Sequence, residues 1–130
     1  MIEIVRDVPL PPIQAWRRLT DWERHAEFVT LTTTRTTADG FVARTGFGRF
    51  AIDDPMQIVA WNEPTHCRLE KRGRVVTGWA ELIVEARGQG SRVIWREEIH
   101  VRGVPRFADG ITRILSRRLF GHVLDGLLEK

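Results

Sequence analysis

A chain of 130 residues is long enough for one hydrophobic core with an internal cavity and too short for two independent cores, so one domain spanning 1–130 is expected. Twenty Lys and Arg stand against seventeen Asp and Glu, a formal charge of only +3, and no basic run is interleaved with aromatics as a nucleic-acid groove requires; the basic side formed by Arg106, Arg113, Arg117 and Arg118 reads as a solvated helix face. Cys67 is the only cysteine, which excludes an intrachain disulfide, and without an N-terminal apolar leader or a run of about 20 apolar residues the expectation is a soluble, cytoplasmic protein with no membrane span.

In chain order, residues 2–8 alternate as a first short strand, ended by Pro9, Pro11 and Pro12. Ile13, Trp16 and Leu19 then recur on one helical face, with proline tolerated in the first turn. Thr20 to Glu23 reads as a capping box, Thr20 accepting from the backbone and Glu23 reaching back, which opens a second short helix near 21–27. Six strands are predicted near 29–38, 41–47, 49–61, 65–71, 74–86 and 91–102. Turn signals divide them at Asp39-Gly40, Gly48, Asn62 to Pro64, Arg72-Gly73 and Gly88 to Gly90. The segment 105–129 opens with Pro105 and carries a broad apolar stripe from Phe107 through Ile111, Ile114, Leu115, Leu119, Phe120, Val123, Leu124, Leu127 and Leu128. Such a helix can lie across the concave face of a curved sheet. Its glycines, Gly110, Gly121 and Gly126, read as close backbone approach, as room for a ligand, or as simple tolerance in a packed helix.

The last predicted strand places Val93, Trp95, Glu97, Ile99 and Val101 on one face. A carboxylate among apolar neighbours requires a hydrated cavity, a cationic partner or a proton of its own. If the preceding loop is Arg87 to Gly90, Ala86 opposes Ser91, Val84 meets Val93, Leu82 meets Trp95, Ala80 meets Glu97 and Gly78 meets Ile99. The same register sets Glu81 opposite Arg96 and Glu85 opposite Arg92, two outer-face pairs of opposite charge. A two-residue Arg72-Gly73 turn then sets Leu69 opposite Val76 and Cys67 opposite Gly78. Small residues therefore surround Glu97, which predicts a void beneath the final helix near Gly78 and Ala80. Trp79 and Ile83 turn outward beside Ile94, either as a homodimer patch or as scattered surface apolarity.

The succession of one strand, two short helices, six strands and a long helix resembles the helix-grip fold of the SRPBCC (START and Bet v 1-like) superfamily. The nearer resemblance is to its polyketide cyclase/dehydrase and lipid-transport branch. It is carried by Pro12-x-x-x-Trp16, Leu19 to His25, Asp54-Pro55-Met56, Trp61-Asn62-Glu63-Pro64, Gly78-Trp79-Ala80-Glu81 and Trp95-Arg96-Glu97, and it covers the whole chain. The resemblance implies an α+β fold with a curved antiparallel sheet of about seven strands around a long C-terminal helix, and a cavity between the two. It implies either hydrophobic ligand binding or cyclisation and dehydration, and it transfers no catalytic residue.

The residues themselves nominate Glu97 and Asp54 as acid/base candidates, since an apolar wall raises a carboxyl pKa toward neutrality. Asp54 shares its parity with Ile52, Met56 and Ile58, although Asp53-Asp54-Pro55 equally suits a kinked edge. Lys71 and Arg44 are the candidate cationic partners for Glu97. Cys67, Leu69, Gly78, Ala80, Leu82, Trp95, Glu97, Ile99, Ile111 and Leu115 are the expected ligand-binding set. His25, His66, His100 and His122 are scattered without metal-site spacing, and no phosphate loop exists at Thr45-Gly46-Phe47-Gly48. Neither a metal nor a cofactor is expected. The expected partner is a small, largely apolar molecule with one polar group, held against Trp95 and Glu97, and the alternative is a polyketide cyclase/dehydratase acting through carboxylates in the same cavity.

Overall fold

The computed structural model describes residues 1–28, 32–46, 51–103 and 108–129, the side chains of Ala26, Asp109 and Thr112 excepted. Seven strands, β1 (Ile2–Val8), β2 (Thr32–Thr37), β3 (Gly40–Thr45), β4 (Ile52–Asn62), β5 (His66–Arg72), β6 (Val76–Arg87) and β7 (Gly90–Val101), form one sheet. Every neighbouring pair is antiparallel, in the order β1-β7-β6-β5-β4-β3-β2. Helices α1 (Pro12–Leu19) and α2 (Trp22–His25) and a 3-10 turn (Ala26–Phe28) link β1 to β2, and α3 (Asp109–Leu128) follows β7. This curved sheet with a C-terminal helix is the helix-grip fold. The expected strand starts at 29 and 49, the strand end at 47 and the helix start at 105 lie outside the described residues.

Alternation builds the sheet. In β1, Ile2 and Ile4 are buried while Glu3 and Val5 are exposed; in β7, Val93, Trp95 and Glu97 are buried. The link from β1 to β7 spans nearly the whole chain and sets Ile4 beside Trp95 and Ile2 beside Glu97. Pro55 is accommodated because it pairs with Val42 on one side, while the β4–β5 ladder begins only at Met56.

The predicted β6–β7 register is the observed one at every position, from Gly78 opposite Ile99 to Ala86 opposite Ser91. Its outer-face charges are used differently. Arg96 pairs with Glu3 at 2.6 Å and Arg92 with Asp7 at 2.9 Å, both on β1, while Glu81 pairs with Arg68 and His66 on β5. The β5–β6 register differs from expectation: Leu69 faces Ala80 and Cys67 faces Leu82, with Lys71 rather than Cys67 opposite Gly78. Pairing ends at Arg72 and Thr77, so the connection is longer than the two residues Arg72-Gly73. The slip is four residues, an even number, so every side chain keeps its predicted face.

Two further expectations are corrected. The Thr20 hydroxyl donates back to the Trp16 carbonyl at 2.8 Å and closes α1, and Glu23 accepts from Thr36 across to β2, so the capping box is not formed. The apolar stripe of α3 does not all face the sheet. Phe120, Val123, Leu124 and Leu127 form the i, i+3, i+4, i+7 row that packs inward. Continued toward the helix start, that row reads Ser116 and Arg113, and so Ile111 and Leu115 fall on the solvent side, 64% and 61% exposed. Gly126 serves close approach, since a Cβ there would strike the Phe28 ring.

Candidate functional site

Between the sheet and α3 lies a cavity of about 290 Å³. Its walls are mostly apolar. Trp95 of β7 stacks on Phe120 of α3 with centroids 5.6 Å apart, and Trp22 of α2 stacks on Phe41 of β3 at 4.8 Å. His25 sits between these pairs, 5.9 Å from Trp95 and 6.3 Å from Phe41. Space is left where the wall residues are small, at Ala43 and Ala80.

The polar content is concentrated around Lys71, which lies on the cavity wall and is only 5% exposed. Its ammonium stands 3.3 Å from Glu97 Oε1 and 3.2 Å from Asp54 Oδ2, with Met56 Sδ at 3.9 Å. The second Glu97 oxygen accepts from the Trp95 indole N–H at 3.1 Å. Four neighbouring antiparallel strands bring these groups together, Asp54 from β4, Lys71 from β5 and Glu97 from β7: Lys71 faces Met56 across β4–β5, and Glu97 faces Ala80 across β6–β7. One ammonium thus serves two carboxylates. Asp54 Oδ1 is buried with no hydrogen-bond partner among the described residues.

Burial pushes the Glu97 carboxyl above its ordinary 4.5, against the opposing pull of Lys71 and of the Trp95 N–H. Burial would also lower the Lys71 pKa, but the attraction of Glu97 and Asp54 prevails and holds it above 10.5, so the ammonium stays charged. Burial drives His25 from 6.5 down to about 4 despite its bond to the Leu19 carbonyl at 2.8 Å. Neutral His25 facing a carbonyl through Nε2 carries its proton there, which leaves Nδ1 as an acceptor.

Of the predicted site residues, Leu69, Ala80, Leu82, Trp95, Glu97, Ile99 and Asp54 line the cavity. Lys71, one of two cations considered for Glu97, is its partner; Arg44 instead points to Asp53 on the exposed side at 3.5 Å. Four predicted residues are off the wall. Cys67 is fully buried in the core, its thiol pushed up to about 12 by burial, which makes it an unreactive packing group. Gly78 contributes no wall because its backbone, at φ +133°, lies so close to β7 that a Cβ would strike the Glu98 carbonyl. Ile111 and Leu115 face outward, for the helical-phase reason given above. Trp79 lies on the outer face as expected, with the Arg68 guanidinium stacked 4.5 Å above its ring, so it is not a bare apolar patch.

Phe41, Ala43, Met56 and Phe120 also stand on the wall and were not in the expected ligand-binding set, although Met56 shares the parity of Asp54 and Phe120 lies in the apolar stripe of the last helix. Extending the hairpin pairing past β5 would have found three of them, since Ala43 faces Asp54 and Phe41 faces Met56. Phe120 was legible as the start of the row that runs to Leu127. Among the described residues, no three His, Cys, Asp or Glu side chains converge as a metal would need, and no helix is long and apolar enough to cross a membrane.

The sequence profile of the polyketide cyclase / dehydrase and lipid transport family matches residues 1–130. No curated protein matches the chain in sequence. Among solved structures, a START superfamily protein from Mycobacterium smegmatis superposes with a TM-score of 0.79 at 9% identity, covering 98% of this chain and 96% of that one. TTHA0849 from Thermus thermophilus gives 0.76 at 16% identity, covering 98% and 94%. Ara h 8.0201 gives 0.69 at 14% identity, covering 99% and 97%. At such identities the likeness is one of fold.

Proposed function

Because the chain belongs to the polyketide cyclase/dehydrase and lipid transport family of the SRPBCC superfamily, we propose that it binds a small, largely apolar molecule in the cavity between its sheet and α3. One observation carries the reading: an apolar cavity of about 290 Å³ whose polar groups are gathered at Lys71, Glu97 and Asp54. A pocket of this kind, apolar with few convergent polar groups, is the usual form of a small-molecule site. A cavity near 150 Å³ holds one benzene ring, so this one suits roughly two fused rings or a chain of similar bulk. Trp95 and Phe120 supply flat walls for such a body. In this reading residues 1–130 act as one binding unit in the cytoplasm.

A second reading, cyclisation or dehydration of a poly-keto substrate, is favoured by the two carboxylates on the wall, one of them with a raised pKa. Comparison of native and denaturing mass spectra of the purified protein tests the first reading. A defined extra mass that leaves on unfolding, and is missing from Ala80→Leu, is the expected result. A protein that carries no such mass and takes up neither bicyclic aromatics nor fatty acids would overturn it. Turnover of a linear poly-β-keto thioester, lost in Asp54→Asn, would favour the enzyme.

A further inference from the structure

Three of the four carboxylate oxygens in the cavity are occupied. Glu97 Oε1 and Asp54 Oδ2 face the Lys71 ammonium, and Glu97 Oε2 takes the Trp95 N–H. Among the described residues Asp54 Oδ1 is buried with nothing to accept from, and Asp54 lies on the cavity wall. A buried acceptor left unpaired costs free energy that a bound donor recovers. Lys71 has a complementary deficit: two of its three N–H groups meet carboxylates, and the remaining neighbour is the Met56 sulfur at 3.9 Å, a weak acceptor. One spare acceptor therefore lies beside one underused donor. That pair matches a hydroxyl, which donates and accepts at a single atom.

Charge points the same way. The cluster holds one cation against two carboxylates, so a carboxylate ligand would bring a third anion and no donor into a site where desolvating charge is costly. An alkylammonium would set a second cation beside the Lys71 ammonium and bring three donors where one carboxylate oxygen, Asp54 Oδ1, has no partner among the described residues.

Building on the ligand-binding reading, we infer that the ligand carries an uncharged hydroxyl or phenol that docks at Asp54 and Lys71, and that carboxylate-headed molecules are excluded. Calorimetric titration of the full chain near neutral pH with 2-naphthol, 2-naphthoate and 2-methylnaphthalene tests this, the three sharing one bicyclic body. The naphthol is expected to bind about tenfold or more tightly than either of the others, the range a hydrogen bond to a charged group provides. Asp54→Ala should bring the naphthol down to the affinity of the methyl compound without weakening the latter. Naphthoate binding as tightly as naphthol, or three equal affinities, would overturn the inference while leaving a ligand cavity in place. Binding of none of the three would remove both. The comparison among probes in the unaltered protein stands whether or not the variant folds.

Discussion

Lys71 holds two carboxylates, Glu97 fully buried and Asp54 partly exposed, and its removal strands Glu97 without a cation. Breaking a buried ion pair by deleting one partner typically costs about 3–5 kcal/mol. Lys71→Met is expected to lose that much stability at neutral pH, measured by urea unfolding. Its loss should shrink on acidification. A carboxyl whose folded pKa lies above its unfolded value of about 4.5 binds more protons when folded, so stability falls as pH rises from 4.5 toward the folded value and recovers below it. A Lys71→Met penalty that is the same at pH 7 and pH 4.5 would contradict the buried cluster. In the unaltered protein the Lys71 contribution has the same sense in a higher window: it is complete below pH 10.5 and is lost as pH climbs through the higher folded value. His25 works at the acid side. Its folded pKa of about 4 lies below the unfolded 6.5, so the unfolded chain takes up the proton first and stability falls as pH drops from 6.5 to 4, by at most about 3 kcal/mol. His25→Phe, among Trp22, Phe41 and Trp95, should flatten that fall relative to the unaltered protein when unfolding is compared at pH 7 and pH 4.5.

At the scale of the element, α3 divides into two halves with different work. From Phe120 onward it is a core helix: Leu124 and Leu127 are fully buried, and α1 meets it through Arg18, which donates to the Leu128 carbonyl at 3.2 Å. Before that point its inward side, at Ser116 and Leu119, roofs the cavity, while Ile111, Ile114 and Leu115 face solvent. Leu124→Ala should therefore cost about 2–5 kcal/mol, whereas Leu115→Ala should stay within about 0.5 kcal/mol. Chemical denaturation of the two variants side by side distinguishes this arrangement from one in which the whole stripe packs on the sheet, where both would be costly. Helix α1 is fixed at its other side by Trp16, fully buried, whose indole donates to Glu63 in the β4–β5 turn at 3.1 Å and meets Trp61 edge-on at 5.1 Å. The tryptophans in the motifs that resemble the family thus frame the cavity as well as line it.

The cavity belongs to the whole molecule, because no single hairpin encloses it. A ligand that binds only the folded chain stabilises it by mass action, about 2.7 kcal/mol at a hundredfold excess over Kd. A rise of that size with 2-naphthol is expected in the unaltered protein, followed by thermal or urea unfolding. Ala80→Leu, which places bulk in the space beside Glu97, should abolish the rise while leaving the ligand-free protein folded. A rise that survives in Ala80→Leu would place the ligand elsewhere. Closure at this scale also depends on β1, whose Arg6 reaches Asp125 of α3 at 2.7 Å while Glu3 and Asp7 hold β7. These pairs are partly exposed and salt-screened, so they set register more than they add stability.

Strand alternation, turn residues and helical periodicity are local properties, so the seven strands, their inward faces and the β6–β7 register could be read from residue order alone. Glu97 stood out for the same reason: parity placed a charge on an apolar face, and that placement by itself raised the need for a cationic partner, a proton or water. Even the β5–β6 slip left that reading intact, because an even shift preserves parity. What the order of residues did not decide was depth and phase. Whether Gly78 lines a space or touches a carbonyl depends on how closely β6 approaches β7. Whether Ile111 faces in or out depends on the rotation of α3, which the packing of Phe120, Leu124 and Leu127 sets farther along. The choice of Lys71 over Arg44, and the unpaired oxygen of Asp54, arose only when separate strands converged, since burial and electrostatic pairing are properties of surfaces brought together by the tertiary fold.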